Sequence, residues 1–81
     1  MTRTEIDAVL AEELHRIAPD IATADIDRAA DLREETDIDS MDFLNLVTAL
    51  ERRLGIAIPE ADYPRMRTYA AMLAYLVARG G

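Results

Sequence analysis

The sequence predicts an all-α fold, a small four-helix bundle, on three observations. The chain is 81 residues long, which leaves room for one hydrophobic core, so residues 1–81 are expected to form a single domain. Its apolar fraction is 51%, of which 14 residues are Ala; the 27 larger apolar side chains are led by nine Leu and seven Ile. Three stretches repeat those side chains at three- and four-residue steps between recognisable helix ends.

Thr2 and Glu5 are spaced as a capping box, in which the threonine hydroxyl accepts from the Glu5 N–H and the glutamate reaches back. A helix over about 3–17 follows, its stripe formed by Ile6, Val9, Leu10, Leu14 and Ile17 and ended by Pro19. From Pro19 to Asp39 the periodicity breaks, and isolated apolar residues (Ile21, Ile26, Leu32, Ile38) stand among acids. The spacing predicts a long ordered loop pinned by those anchors, with a helical turn around 28–34. A connection of this length in a compact domain points to function.

Residues 40–54 give the clearest helix, with Ser40 expected as N-cap, Asp42 in the first turn, Arg52 and Arg53 in the last, and Gly55 beyond the end. Phe43, Leu46, Val47, Leu50 and Leu54 form its apolar face, and Met41, Leu44 and Thr48 lie beside it as a second strip. A helix apolar on more than one side is central in a bundle or offers its spare strip to another molecule. Ile56-Ala57-Ile58 is too short for a strand of consequence. Pro59 to Tyr63 allows one helical turn, which Pro64 is expected to end. Thr68 then caps a last helix from Tyr69 to about Arg79, with Tyr69, Met72, Leu73, Leu76 and Val77 facing inward and Gly80 and Gly81 closing it.

The charged residues exclude several functions. All nine basic residues are Arg, against sixteen Asp and Glu, a net charge of −7. Nucleic-acid binding is excluded because counterion release needs a basic face. Without Cys, and with His15 as the one histidine, the chain has no disulfide, no thiol nucleophile and no zinc ligand set. The missing Lys removes Schiff-base chemistry and any arm attached to a lysine amine. Asp37, Asp39 and Asp42 do not complete a calcium loop, which requires Gly and Glu where this chain has Asp42 and Thr48. No Gly-x-Ser-x-Gly elbow is present for a serine hydrolase, and His15 reads as a surface residue. No stretch has the length of a membrane span or the apolar core of a signal peptide, so a cytoplasmic monomer is expected.

The informative place is Asp37-Ile38-Asp39-Ser40-Met41-Asp42, where the acidic loop enters the strongest helix. A serine at such a junction has free backbone N–H groups and the positive end of the helix dipole close to its hydroxyl, a setting that stabilises a phosphate ester. Taken alone, it reads first as a cap, since Ser is among the commonest N-caps.

In its context the sequence resembles the acyl carrier protein family. Asp39-Ser40-Met41 is similar to the family's Asp-Ser-Leu attachment motif, followed at family spacing by Leu46-Val47, Ala49-Leu50-Glu51, Ile58-Pro59, Thr68 and Tyr75-Leu76. The resemblance implies a four-helix bundle of acyl-carrier type with a long first loop and a short third helix. It also implies that Ser40 carries 4′-phosphopantetheine, attached from coenzyme A by a phosphopantetheinyl transferase. Asp39 would help that transferase and its magnesium engage the site. The domain itself would be no enzyme. It would hold acyl groups as thioesters for fatty acid, polyketide or related lipid biosynthesis and present them to loading and transfer enzymes with basic docking faces. Met41, Asp42, Leu44 and Ile58 are the residues expected to meet those partners or the cargo, with ordinary core packing an equally good reading of Ile58. An aminoacyl or peptidyl carrier loaded by an adenylating enzyme is the alternative, and an acidic helical interaction module without a prosthetic group is the rival from another class.

Three departures stand out. Thr36-Asp37 replaces the family's Leu-Gly, which predicts an altered turn because Asp tolerates positive φ less readily than Gly. Met41 follows the serine in place of Leu. Asn45, Arg52 and Arg53 stand where fatty-acid-synthesis members carry acids, which points to a specialised carrier with its own enzymes. The negative charge is gathered and not spread: residues 20–42 hold nine acids and two Arg, a net −7, and residues 52–81 hold five Arg and two acids, a net +3. Arg65 and Arg67 have three candidate partners, the acidic loop first, then the phosphopantetheine phosphate or a partner protein.

Overall fold

A computed structural model describes residues 1–80, with principal extents of 28 × 26 × 21 Å and a radius of gyration of 11.4 Å. Gly81, expected among the closing residues of the last helix, lies outside the described residues. Four α-helices occur among the described residues: α1 (Arg3–Ile17), α2 (Leu32–Thr36), α3 (Ser40–Leu54) and α4 (Tyr69–Gly80). Short 3-10 segments span Thr23–Asp25 and Glu60–Met66. The bundle consists of α1, α3, the longer 3-10 segment and α4, as predicted; α2 is a five-residue helix inside the long first loop.

The capping box at Thr2 and Glu5 forms in full, with both bonds at 3.2 Å. The core joins Ile6, Leu10 and Leu14 of α1 to Leu46, Val47 and Leu50 of α3 and to Met72, Leu73 and Leu76 of α4, each at most 1% exposed. Phe43, Leu54 and Val77 pack at its margin. The α1 stripe also contains a residue that apolar periodicity alone overlooks. Glu13 lies on the buried face, accepts from Arg53 of α3 at 3.3 Å and pairs with Arg16 at 3.5 Å. Arg53 also donates to Glu12 at 2.6 Å. The two carboxylates, Glu12 first, push the Arg53 guanidinium above its ordinary value and hold it charged. Burying a carboxylate is tolerated because it is paired and hydrogen-bonded.

The long loop is ordered by the predicted anchors: Ile26, Leu32 and Ile38 are buried, and Ile21 packs partly against the core. Its helical turn comes later than expected, at 32–36 and not around 28–34, because Asp31 supplies the cap, accepting from the Arg33 N–H at 2.9 Å. Backbone bonds tie the loop to the start of α4: Ala70 donates to Arg28 O at 3.0 Å and Leu32 to Arg67 O at 2.7 Å, beside an antiparallel bridge between Asp31 and Thr68. Arg28 lies 4.5 Å over the Tyr69 ring, and the Tyr69 hydroxyl donates to the Asp7 carboxylate of α1.

Pro64 does not end the helical turn after Pro59. The 3-10 segment runs from Glu60 through Pro64 to Met66; proline cannot donate but can accept a place near a helical start. Thr68 caps α4 as expected, accepting from the Ala71 N–H at 3.0 Å. The Tyr75 hydroxyl reaches back to Asp62 at 2.5 Å, with Arg79 donating to both. These hydrogen bonds, Tyr75's foremost, hold the Asp62 carboxyl below its ordinary value.

Candidate functional site

The loop's last buried anchor, Ile38, and the α3 core face fix the position of Asp39 and Ser40, and both side chains point to solvent. Here the structure corrects one expectation. The N-cap of α3 is Asp39, not Ser40: Asp39 is extended (φ −92°, ψ −176°), and its carboxylate accepts from the Asp42 N–H at 2.8 Å. Ser40 is the first residue inside the helix. The carboxylate outcompetes the hydroxyl because a charged acceptor at a helix N-terminus gains both the bond and the dipole. The Ser40 hydroxyl is thereby left exposed and without a hydrogen-bond partner among the described residues, next to the free Ser40 and Met41 N–H groups of the first turn.

Asp37 ends α2 in the left-handed conformation (φ 55°, ψ 29°). The turn that glycine favours is therefore kept, with Asp bearing its strain. Replacing Asp37 with Gly is expected to raise stability by about 0.5–1 kcal/mol, read as a higher urea midpoint at unchanged slope, because relief of the left-handed strain outweighs the added chain entropy.

Ser40 opens onto a groove of about 650 Å³ between α3, the 3-10 segment Glu60–Met66 and the start of α2. Met41, Phe43, Leu44, Tyr63 and Pro64 supply its apolar wall, and Asp31, Arg33, Glu60 and Arg67 its polar rim. Phe43 and Tyr63 meet edge to face, ring centres 5.8 Å apart at 73°, and brace that wall. Met41 is 66% exposed and Leu44 45%, so the spare apolar strip faces outward. Asp42 is half-buried in the first turn. Ile58 differs from its expected place: it is 5% exposed and belongs to the core, its N–H held by Glu51 at 3.3 Å. Arg67 does turn to the acidic loop, 3.9 Å from Asp31, while Arg65 pairs with Asp62 at 4.0 Å, outside that loop.

Fold and site together define a small helical domain that presents one unengaged serine hydroxyl at the start of a central helix, beside an amphipathic groove. Comparison with known proteins narrows the class. The family model described as "Phosphopantetheine attachment site" matches residues 4–76. An acyl carrier protein of Saccharopolyspora erythraea is 35% identical over 77 residues, covering 91% of this chain and 76% of that protein. One from Acidothermus cellulolyticus is 26% identical over 76 residues, covering 94% and 89%. The solution structure of a candidate acyl carrier protein from Anaplasma phagocytophilum superposes with a TM-score of 0.81 at 22% identity, over 96% of this chain and 91% of that one, a likeness of fold. The chain belongs to the phosphopantetheine attachment family, that of the acyl carrier proteins. It is a carrier and not a catalyst, and its prosthetic group is covalent 4′-phosphopantetheine. The residues present fit that group: a free exposed hydroxyl, two N–H groups unpartnered among the described residues, and a groove with an apolar wall and a rim of mixed charge. No helix of the described residues is long and apolar enough to cross a membrane, and no cluster of possible metal ligands occurs among them.

Proposed function

We propose that Ser40 is the residue esterified by 4′-phosphopantetheine and that the single domain 1–81 carries acyl intermediates for fatty acid, polyketide or related lipid biosynthesis in the cytoplasm. The observation that supports this reading is the freed hydroxyl of Ser40. Asp39 takes over the cap, so the serine has no structural duty that modification would interrupt. When bound, the arm supplies the thiol that holds cargo as a thioester, a group absent from a chain without Cys. The chain's own residues position the attachment point and keep it accessible. Asp39 and the acidic loop attract the basic docking face of the transferase, while Met41 and Leu44 offer it apolar contact.

The test is intact mass after incubation of the apo protein with a phosphopantetheinyl transferase, coenzyme A and magnesium, followed by peptide mapping. A gain of one phosphopantetheine on the peptide containing Ser40 is expected; no gain, or a gain mapped elsewhere, overturns the assignment. Of the arginines that distinguish this chain along α3, Arg53 is spent on Glu12 and Glu13, leaving exposed Arg52 as the one that changes the outer charge. A general ketoacyl synthase is expected to transfer poorly from this carrier while a dedicated ligase charges it. Equal activity with both would count against specialised partners.

A further inference from the structure

The mixed-charge rim of the groove beside Ser40 carries two arginines that make no close hydrogen bond to a carboxylate among the described residues. Arg33 and Arg67 both line it, and Arg33 has no carboxylate within 4 Å among the described residues. Arg67 approaches Asp31 only to 3.9 Å, with 73% of its side chain exposed. By contrast Arg28, Arg53 and Arg79 each make hydrogen bonds to carboxylates, at 3.5, 2.6 and 3.2 Å. The two guanidiniums, Arg33 without a carboxylate partner and Arg67 in one long contact, are anchored on one pinned piece of backbone. Leu32 donates to Arg67 O at 2.7 Å, and the Asp31–Thr68 bridge lies beside that bond. Two acids share the rim. Asp31 is engaged in capping α2 and in its contact with Arg67, and Glu60 is exposed on the 3-10 segment.

We propose that Arg33 and Arg67 are positioning residues that clamp the phosphodiester of the arm on Ser40 and so direct the arm into the groove. This rests on Ser40 being the attachment residue. Three physical considerations favour it. An anion on Ser40 stands among Asp37, Asp39 and Asp42 and needs countercharge. Planar guanidiniums suit phosphate oxygens better than a point charge does. Exposed ion pairs are individually weak, but tethering supplies the phosphodiester at an effective concentration on the order of millimolar, so modest contacts suffice. Beyond that clamp, Phe43, Leu44, Tyr63 and Pro64 line the groove and would cover the apolar segments of the arm.

The experiment follows the arginine side-chain Nε–H signals by NMR as apo protein is converted with coenzyme A, with intact mass recorded on the same sample. The signals of Arg33 and Arg67 are expected to shift more than those of Arg3 and Arg52. In Arg33→Gln and Arg67→Gln the phosphorus resonance of the holo protein is expected to move toward that of the same serine phosphodiester in urea-unfolded holo protein, and 0.5 M salt is expected to move the wild-type resonance the same way. Conversion with butyryl- and succinyl-coenzyme A tests whether a cargo carboxylate is the true ligand. The same arginine shifts with all three donors support the clamp, and shifts seen only with succinyl cargo overturn it. Full mass gain on Ser40 with unmoved Arg33 and Arg67 signals also overturns it while leaving the attachment site intact. Absence of mass gain instead removes the reading on which the clamp rests.

Discussion

Ser40→Ala is expected to abolish phosphopantetheine attachment completely while changing stability by no more than about 0.5 kcal/mol, and Asp39→Ala is expected to do nearly the reverse. The contrast follows from which residue caps α3. Asp39 accepts the Asp42 N–H at 2.8 Å, so its removal leaves that donor unpaired and withdraws a negative charge from the helix N-terminus. Loss of such a cap costs about 1 kcal/mol. Ser40 sits one residue inside the helix with its hydroxyl unengaged among the described residues, a position at which alanine has the better helix propensity. Urea unfolding of the two variants and of wild type, with intact mass after the transferase reaction, checks both halves. Asp39→Ala should unfold at lower urea and gain mass more slowly but still gain it. A mass gain in Ser40→Ala would remove the proposed site, and a loss of stability in Ser40→Ala as large as in Asp39→Ala would show that the serine shares the cap.

This distinction marks how far the sequence could be read. Asp39 and Ser40 are both favoured N-cap types, and only the backbone shows which of two adjacent residues is extended and which is helical. The helices themselves were legible because Thr2, Glu5, Gly55 and Thr68 mark ends that the apolar spacing independently requires. Ile58 was ambiguous for a different reason. It follows Gly55 in a stretch too short to have a period, so nothing local says which way it points; the fold turns it inward. The Glu13–Arg53 pair joins residues forty positions apart. Its signal was present in part, since Glu13 falls three residues after Leu10 and four after Val9, on the buried stripe, but its partner lies on another helix. The groove rim was legible only in part: Arg67 was expected against the acidic loop, but that Arg33 lines the same groove depends on the Asp31–Thr68 bridge.

Tyr69 carries the other large expectation. Its side chain is 1% exposed, and its hydroxyl donates to Asp7 of α1 while Arg28 of the long loop covers its ring. One residue thus ties three parts of the chain that meet over the core. Tyr69→Ala is expected to cost about 3–5 kcal/mol, the range for large buried aromatics. The whole domain has only about 4–12 kcal/mol at the usual stability per residue, so this variant should lose a large share of its stability and unfold at a much lower urea concentration than wild type. Tyr69→Phe keeps the packing and is expected to cost about 1.5 kcal/mol, that of a hydrogen bond to a charged acceptor.

The phenylalanine variant also exposes a pH dependence that most proteins would obscure. Burial first, then the hydrogen bond and charge of Asp7, push the Tyr69 phenol well above its ordinary value. The unfolded chain therefore releases this proton near pH 10, before the folded protein does. Its contribution to stability is complete below about pH 10 and is lost as pH rises toward the folded value, at up to about 1.4 kcal/mol per pH unit. Lysine normally titrates in the same range, but this chain has none, and its arginines remain charged. The alkaline limb consequently belongs chiefly to Tyr69. Tyr63 adds a smaller share, its phenol raised by burial and by Glu51 and Glu60. Urea midpoints measured from pH 8 to 11 should be flat for wild type up to about pH 10 and then fall, whereas Tyr69→Phe should start lower and lose most of that slope. Parallel curves for the two proteins would mean that the Tyr69–Asp7 contact does not hold the proton in the folded state. The contact would then have to be assigned to packing alone.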